Sequence, residues 1–173
     1  MSNVLIGIIG VILFIGLALA GALFLGPRFQ QSVAQSKASA ISGQVSQVAS
    51  AIALRGLNTG TVQTSYQQTV TDVASEGYLK SVPVNVFASD QIFRVGDELG
   101  SSNDRQARYV FTNIGTSETA KAACATIERN AGVVDPSDHV DAVVKFDEWV
   151  PTHRRLGCIN NFYQGSYSVY APV

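Results

Sequence analysis

The sequence predicts an α+β protein in which one long N-terminal helix precedes a globular head of antiparallel sheet and helices. Three features of the 173 residues support this prediction. An unbroken apolar and glycine run extends from Val4 to Leu25, and a polar but nearly uncharged helical repeat follows over 28–55. In the remaining chain, short strand-like segments and two helical segments are separated by turn residues.

The N-terminal run, VLIGIIGVILFIGLALAGALFL, is long enough to cross a bilayer as a helix. Its 22 residues span ~33 Å at a rise of ~1.5 Å per residue. No charged side chain precedes Arg28. We therefore expect residues 1–27 to lie in a membrane or to be buried against copies of the chain. A signal peptide cleaved near Ala18–Ala20 is an alternative, and the lack of a basic n-region counts against it.

Gly26 and Pro27 form the strongest helix-breaking signal in the N-terminal half. Proline cannot donate to the carbonyl of Leu23, so we expect a kink or a locally unwound stretch near Pro27, followed by resumed helix. Over 28–55, apolar residues recur at helical spacing along one stripe, namely Phe29, Val33, Ile41, Val45, Val48 and Ile52. The other positions are mostly Gln, Ser and Ala, which predicts a helix covered on most sides by small neutral contacts. A glycine- and asparagine-rich stop follows at 55–61.

The head, residues 56–173, is predicted to contain two helices and five strands. Helices are predicted at 64–79 and at Thr116–Asn130, where a capping-type start precedes the helical run. Strands are predicted at Gln91–Val95, Ala107–Asn113, Val143–Phe146, Cys158–Tyr163 and Ser166–Tyr170. The pair Gln164-Gly165 would close a tight hairpin between the last two strands.

Charge and cysteine content argue against several functional classes. The net charge is -1 and the basic residues are dispersed, which argues against a nucleic-acid-binding face; only Arg154-Arg155 and the pair Arg105/Arg108 come near a basic cluster. Cys124 and Cys158 are the only cysteines and form no CxxC pair, unlike zinc knuckles and thioredoxin-like sites. A lone pair after a membrane segment favours one disulfide formed outside the cytoplasm. Two buried free thiols are the alternative.

Neither a catalytic nor a cofactor-binding pattern occurs in the sequence, so we expect no enzyme activity and no cofactor. The GxSxG elbow is absent, and no base can be named for Cys124 because His139 and His153 fall in loop-like sequence. The segment DPSDHVD (135–141) lacks the EF-hand glycine and glutamate, which favours an aspartate-capped turn over a metal site. Core packing is favoured over a sugar-binding platform for the C-terminal aromatic residues Phe162, Tyr163, Tyr167 and Tyr170.

The order of these features resembles the type IV pilins, specifically the type IVb branch that includes the toxin-coregulated, bundle-forming and thin conjugative pili. The likeness covers the whole chain. It is most specific at MSNVLIGIIGVILFIGLALAGALF, at SEGYLKSVPVN (75–85), and at KAACATIERNAG (121–132) taken with LGCIN (156–160). The resemblance implies the major structural subunit of an extracellular filament on the bacterial surface, with Cys124 and Cys158 bounding a disulfide region.

The resemblance also implies a processed chain whose N-terminal Met1 is methylated after cleavage by a prepilin peptidase. Its partners would be other copies of itself, the inner membrane before assembly, and the pilus assembly machinery. The residues expected to pack in the filament core are Leu5, Gly7, Gly10, Phe14, Gly16, Gly21, Phe24 and Pro27. A minor pilin, a type II secretion pseudopilin and a single-span membrane-anchored binding protein are the alternatives.

At the fifth position the chain departs from the pilin pattern, because Leu5 stands where most pilins have glutamate. An ion pair between that glutamate and a neighbour's N-terminal amine therefore cannot set the register of the subunits. An apolar residue in place of a buried ion pair can be neutral or stabilising. We expect the shape of the packed helices to set the register instead.

Overall fold

A computed structural model describes the backbone of residues 2–60, 68–96, 109–145, 149 and 155–173, and their side chains except at 2–5, 22–27 and 68–69. It contains a long N-terminal helix and a five-stranded, mostly antiparallel sheet with further helices, which confirms the predicted α+β class. The chain divides into two compact units, Met1–Val33 and Ala34–Val173. The division therefore falls after Val33, whereas the sequence placed a boundary after Pro27.

Helix α1 covers Ser2–Thr59. It is continuous across Gly26 and Pro27, so the kink is not confirmed in the single chain and stays a prediction for the assembled state. Within the described residues, no helix has the length and apolar character needed to cross a membrane. The helix ends where the Thr59 hydroxyl donates to the carbonyl of Arg55 at 2.9 Å, in agreement with the stop predicted at 55–61.

In the second unit, α1 buries one stripe of residues spaced alternately by four and three positions. The stripe consists of Ala34, Ala38, Ile41, Val45, Val48, Ile52 and Arg55. Its C-terminal part confirms the predicted stripe. Phe29 and Val33 do not belong to the buried stripe, because Phe29 is exposed and Val33 is half-buried. Both residues lie in the first unit, whose described residues all belong to this helix.

Further helices follow among the described residues of the second unit. Helix α2, Gln68–Ser75, is shorter than the predicted 64–79, part of which lies outside the described residues. Helix α3, Glu118–Asn130, begins at the predicted cap, because the Ser117 side chain accepts the N–H of Ala120 at 3.2 Å. The short helix α4, Ser137–Val140, falls in sequence that was predicted as a turn.

The sheet has the strand order β1-β2-β5-β4-β3. Its strands are β1 Arg94–Gly96, β2 Tyr109–Gly115, β3 Val143–Val144, β4 Gly157–Asn161 and β5 Ser166–Pro172. Neighbouring strands are antiparallel except β3 and β4. All five strands occur in the predicted order with shifted ends, and β4 and β5 form the predicted hairpin. The turn expected at 97–105 lies outside the described residues.

The two faces of the sheet carry different buried clusters. Val110, Cys158 and Val169 share the main core with α1, α2 and α3. The other face carries a second cluster of Tyr109, Phe111, Ile159 and Tyr170, with Trp149 and Val144 packed against it. Each cluster buries residues at alternate strand positions, as expected for a sheet covered on both sides.

Tyr170 crosses from β5 to β4 and lies over Gly157, its partner in the strand register. A Cβ at Gly157 would lie 2.5 Å from the Tyr170 hydroxyl oxygen and 2.7 Å from Oε1 of Glu128. Glycine is therefore required here for close approach of these two side chains. The space left by the missing side chain at Gly157 is occupied by Tyr170 and Glu128, which belong to the buried groups described below.

Candidate functional site

The first candidate site is the apolar helix surface, which we define as residues 6–20 of α1. Every residue in this range is exposed in the single chain. Its large apolar members are Ile6, Ile8, Ile9, Val11, Ile12, Leu13, Phe14, Ile15, Leu17 and Leu19. Phe14 has 73% of its surface exposed. Contiguous exposed apolar surface of this extent marks a site of interaction with protein or membrane.

Four glycines in the first unit have no packing role within the described chain. A Cβ added at Gly7, Gly10, Gly16 or Gly21 would meet nothing within 4 Å. Glycine inside a helix costs about 0.5–1 kcal/mol relative to alanine. Since the described residues offer no compensation for that cost, these glycines point to close approach by another molecule.

The predicted filament-core residues fall on this helix, but not all are described in full. Gly7, Gly10, Phe14 and Gly16 lie on the apolar helix surface, and Gly21 follows it. The backbones of Leu5, Phe24 and Pro27 are helical, and their side chains lie outside the described residues. Met1, the predicted site of N-methylation, also lies outside them.

The predicted cysteine pair joins α3 to β4. The sulfur atoms of Cys124 and Cys158 lie 2.08 Å apart and the Cα atoms 5.2 Å apart, so the pair is confirmed at disulfide distance. Both side chains are fully buried. A bond between residues 34 positions apart should stabilise the head by about 3–4.7 kcal/mol, mainly by restricting the unfolded chain.

Next to this bond lies a cluster that sequence analysis did not predict. We call it the buried carboxylate cluster, and it consists of Glu128, His139, Arg155 and the backbone N–H of Cys158. Glu128 is 0% exposed. Arg155 donates through Nη2 to its Oε2 at 2.6 Å and through Nη1 to its Oε1 at 3.3 Å. The N–H of Cys158 donates to Oε1 at 2.6 Å.

His139 completes the set of groups around the carboxylate. Its Nε2 lies 2.7 Å from Oε2 of Glu128, within hydrogen-bond distance of the carboxylate. A buried carboxylate is tolerated only when a cation and further hydrogen bonds surround it, and this cluster provides both. Burial acts to lower the pKa of Arg155, but its bonds to Glu128 outweigh burial and the pKa is raised.

An aromatic layer covers the histidine side of the cluster. The His139 ring stacks on Trp149 with 4.4 Å between centroids. Trp149 Nε1 donates to the Tyr170 hydroxyl at 3.2 Å. Burial raises the pKa of Tyr170 to about 12, and the nearby Glu128 charge adds to this effect. The cluster and its aromatic layer therefore join α3, α4, β4 and β5 at one place.

One sequence signal could have indicated this cluster. Glu128 follows Cys124 by one helical turn, so both lie on the same face of α3. A buried cysteine on that face implies a buried glutamate, which in turn requires a cation. Arg155, close to Cys158 in sequence, was interpreted only as dispersed surface charge. His139 was placed in a loop, and His153 lies outside the described residues.

The aspartate-rich segment 135–141, predicted as an aspartate-capped turn, contains the short helix α4, and a side-chain hydrogen bond of Asp135 precedes this helix. Oδ1 of Asp135 accepts the N–H of Ser137 at 3.0 Å, and this bond lowers the pKa of Asp135. Asp141 pairs with Lys121 at 2.6 Å, and their hydrogen bond raises the pKa of Lys121. In the described part of the chain, no group of three or more His, Cys, Asp or Glu residues is placed to hold a metal ion.

The C-terminal aromatic residues are divided between core and surface. Tyr167 and Tyr170 are buried, which confirms the core prediction for these two. The prediction is wrong for Phe162 and Tyr163, which are exposed. The reason is that β4 ends at Asn161, so both residues lie in the turn to β5, where Phe162 N–H donates to the carbonyl of Val144 at 2.8 Å.

Comparison with known proteins gives no match among family models, curated proteins or solved structures. The function of this chain is therefore inferred from its own residues. Two features support that inference. One is the apolar helix surface in the first unit, and the other is the disulfide with the adjacent buried carboxylate cluster in the second. The apolar helix surface has the composition of a surface that is buried in an assembly, and the disulfide with the buried carboxylate cluster stabilises the head.

Proposed function

We propose that this chain is the major structural subunit of an extracellular helical filament of the type IV pilus class. The apolar helix surface, residues 6–20, is the observation that carries the proposal, because it is uncharged and exposed in the single chain. Full burial of a large apolar side chain stabilises by about 1.5–3 kcal/mol. Helices from neighbouring copies would bury these side chains against one another in a dry core.

The glycines of this surface would let neighbouring helices approach closely. Gly7, Gly10 and Gly16 leave gaps beside which side chains such as Phe14 of a neighbour can pack. Such fitting is directional without any charge, so it can set the register of subunits that carry Leu5 in place of glutamate. A kink or unwound stretch near Pro27 would form on assembly, since unwinding lengthens the chain from ~1.5 toward ~3.3 Å per residue.

The head would form the outer surface of this filament. A disulfide between Cys124 and Cys158 suits an oxidising compartment outside the cytoplasm. Before assembly the chain would sit in the inner membrane through its N-terminal helix, and a prepilin peptidase would expose and methylate Met1. The pilus assembly machinery would then transfer it into the filament.

Electron microscopy of sheared surface material, with mass spectrometry of its composition, tests the proposal. The proposal predicts filaments made mostly of this chain. It also predicts that Ile12→Lys abolishes them, because a charge would be buried in the dry core. Val134→Lys is the matched control, since Val134 is an apolar head residue with 97% exposure.

Two results of this experiment would contradict the proposal. Filaments that contain only traces of this chain would indicate a minor pilin or pseudopilin. A chain that stays in the membrane fraction, in cells that make no filament from it, would indicate a single-span anchored protein.

A further inference from the structure

Residues 155–158 are attached to α3 in two independent ways. One is the bond between Cys124 and Cys158. The other is Glu128, which binds the Arg155 guanidinium and the Cys158 N–H without involving sulfur. Because Glu128 lies one turn after Cys124 on the same face of α3, the second attachment holds Cys158 opposite Cys124 without sulfur.

We propose that Glu128 is the positioning residue for oxidation of the head. It seats residues 155–158 on α3 before the disulfide forms and thereby presents the thiol of Cys158 to that of Cys124. The proposal concerns folding of the second unit and does not depend on the filament.

The surroundings of Glu128 explain why it acts before the sulfur atoms do. Once α3 packs on the sheet, a carboxylate at this position is buried, and it is strongly unfavourable until a cation joins it. Arg155 supplies the cation, and the Cys158 N–H and His139 occupy further lone pairs. A carboxylate held from three directions has one orientation. Docking of residues 155–158 is therefore specific without a covalent bond.

Disulfide formation takes two exchange steps, and the carboxylate assists the second, in which one protein cysteine attacks the other. Both sulfur atoms are fully buried in the folded head, so an external oxidant must react before folding is complete. One cysteine thiolate attacks a small disulfide such as oxidised glutathione, which breaks that S–S bond and releases one thiolate. The second cysteine thiolate then attacks the protein sulfur of the mixed disulfide and releases the second glutathione. Two protein thiols lose two protons and two electrons, and one glutathione disulfide becomes two thiols.

The effective concentration of the two thiols in glutathione buffers tests the proposal. The full chain, reduced in detergent micelles, would be equilibrated with known ratios of reduced and oxidised glutathione at neutral pH. Glu128→Gln should lower the effective concentration roughly 10- to 100-fold, because a buried hydrogen bond to a charged group is lost. Glu118→Gln removes an exposed carboxylate from the same helix and should change it less than about 2-fold.

A purely structural role would give a different result. If Glu128 only stabilised the whole head, Glu128→Gln would lower the urea midpoint and leave the effective concentration unchanged in native buffer, where circular dichroism shows a folded head. That result would overturn the proposal.

A chain without sulfur at these positions tests the order of events even if Glu128→Gln fails to fold. In the double variant Cys124→Ala, Cys158→Ala, the amide of residue 158 should remain protected from hydrogen exchange, and adding Glu128→Gln should remove that protection. Exchange at the unprotected rate in the double variant, whether or not the rest of the head is protected, would overturn the proposal.

Discussion

Both units contain residues that cost stability, such as a buried charge or a glycine, but only in the second unit do contacts among the described residues offset that cost. In the second unit, the buried charge of Glu128 is matched by Arg155, and Gly157 is explained by the approach of Tyr170. In the first unit, the exposed apolar side chains of residues 6–20 and glycines such as Gly10 have no such explanation within the described chain. A costly feature without compensation in its own chain points to a contact between molecules.

The distribution of charge shows the same difference. Arg28 is the only charged side chain in Met1–Val33. In the second unit, Arg55 is buried and donates from Nε and Nη2 to the two carboxylate oxygens of Glu76, each at 2.6 Å. This bond raises the pKa of Arg55 and lowers the pKa of Glu76. The second unit thus pairs the buried charges of Arg55 and Glu128 internally, whereas the first presents an almost uncharged surface for burial elsewhere.

The largest expected effect comes from filling a glycine gap in the first unit. Gly10→Leu should abolish or greatly reduce filaments, because overpacking costs about 1–3 kcal/mol per subunit and recurs along the polymer. Membrane association and head stability should be unchanged, since leucine is apolar and the head is not altered. Filament yield by electron microscopy and chain content of the membrane fraction provide the measurement.

Leu5→Glu is the companion variant, and it should not improve assembly. The account of register by shape would fail if Leu5→Glu gave more or tougher filaments while Gly10→Leu had no effect. That pair of results would indicate that pairing of a glutamate with a neighbour's amine sets the register after all.

The second prediction removes the cation from the buried carboxylate cluster. Arg155→Met should lower the free energy of unfolding of the head by about 3–5 kcal/mol, because Glu128 would stay buried without a cation. Urea unfolding in a mild detergent, followed by the emission of Trp149, the only tryptophan, measures this loss. Arg129→Met removes an exposed arginine from α3 and should cost less than about 1 kcal/mol. Equal losses in the two variants would contradict a special role for Arg155.

The third prediction compares one glycine from each unit. Gly157→Ala should destabilise the head by about 1–3 kcal/mol, because the new Cβ would lie 2.5 Å from the Tyr170 hydroxyl. Gly16→Ala should leave the single chain unchanged or stabilise its helix by about 0.5–1 kcal/mol, and should reduce only filament formation. Helix content by circular dichroism and head unfolding in urea separate the two effects. A Gly16→Ala chain that is destabilised as a monomer would show that the first unit has an internal contact at this glycine.

The smallest effect depends on pH and belongs to the second unit. The pKa of Tyr170 is about 12 in the folded head, above the ordinary value near 10. The neutral phenol therefore contributes stability that is fully present below about pH 10 and is lost as the pH rises toward 12. We expect a loss of about 2 kcal/mol over this interval, measured by urea unfolding. Tyr170→Phe should lack this part of the alkaline loss, and an identical pH profile in that variant would contradict the assignment.

The sequence was most informative where the signal was local. Helix α3 was predicted because a capping-type start precedes one helical run at Thr116–Asn130. The order of the five strands was predicted because turn residues separate them. The pair Cys124 and Cys158 was predicted because these are the only cysteines in the chain.

The parts that were not predicted depend on contacts between distant positions. Glu128 and Arg155 lie 27 positions apart, and their interaction follows from packing of α3 on the sheet, which no local pattern encodes. The exposure of Phe162 and Tyr163 depends on the residue at which β4 ends, and strand ends are set by pairing with neighbours. The apolar helix surface was evident from composition, whereas the molecule that covers it had to be inferred.

A reconstruction by cryo-electron microscopy of filaments sheared from cells that produce this chain tests the central claim most directly. We expect a polymer of this chain in which residues 6–20 of neighbouring copies contact one another, away from solvent, with close approach at Gly7, Gly10 and Gly16. The heads should lie outside. Filaments in which residues 6–20 face solvent or lipid, or filaments built from another chain, would contradict the claim that neighbouring copies of this chain bury its apolar helix surface.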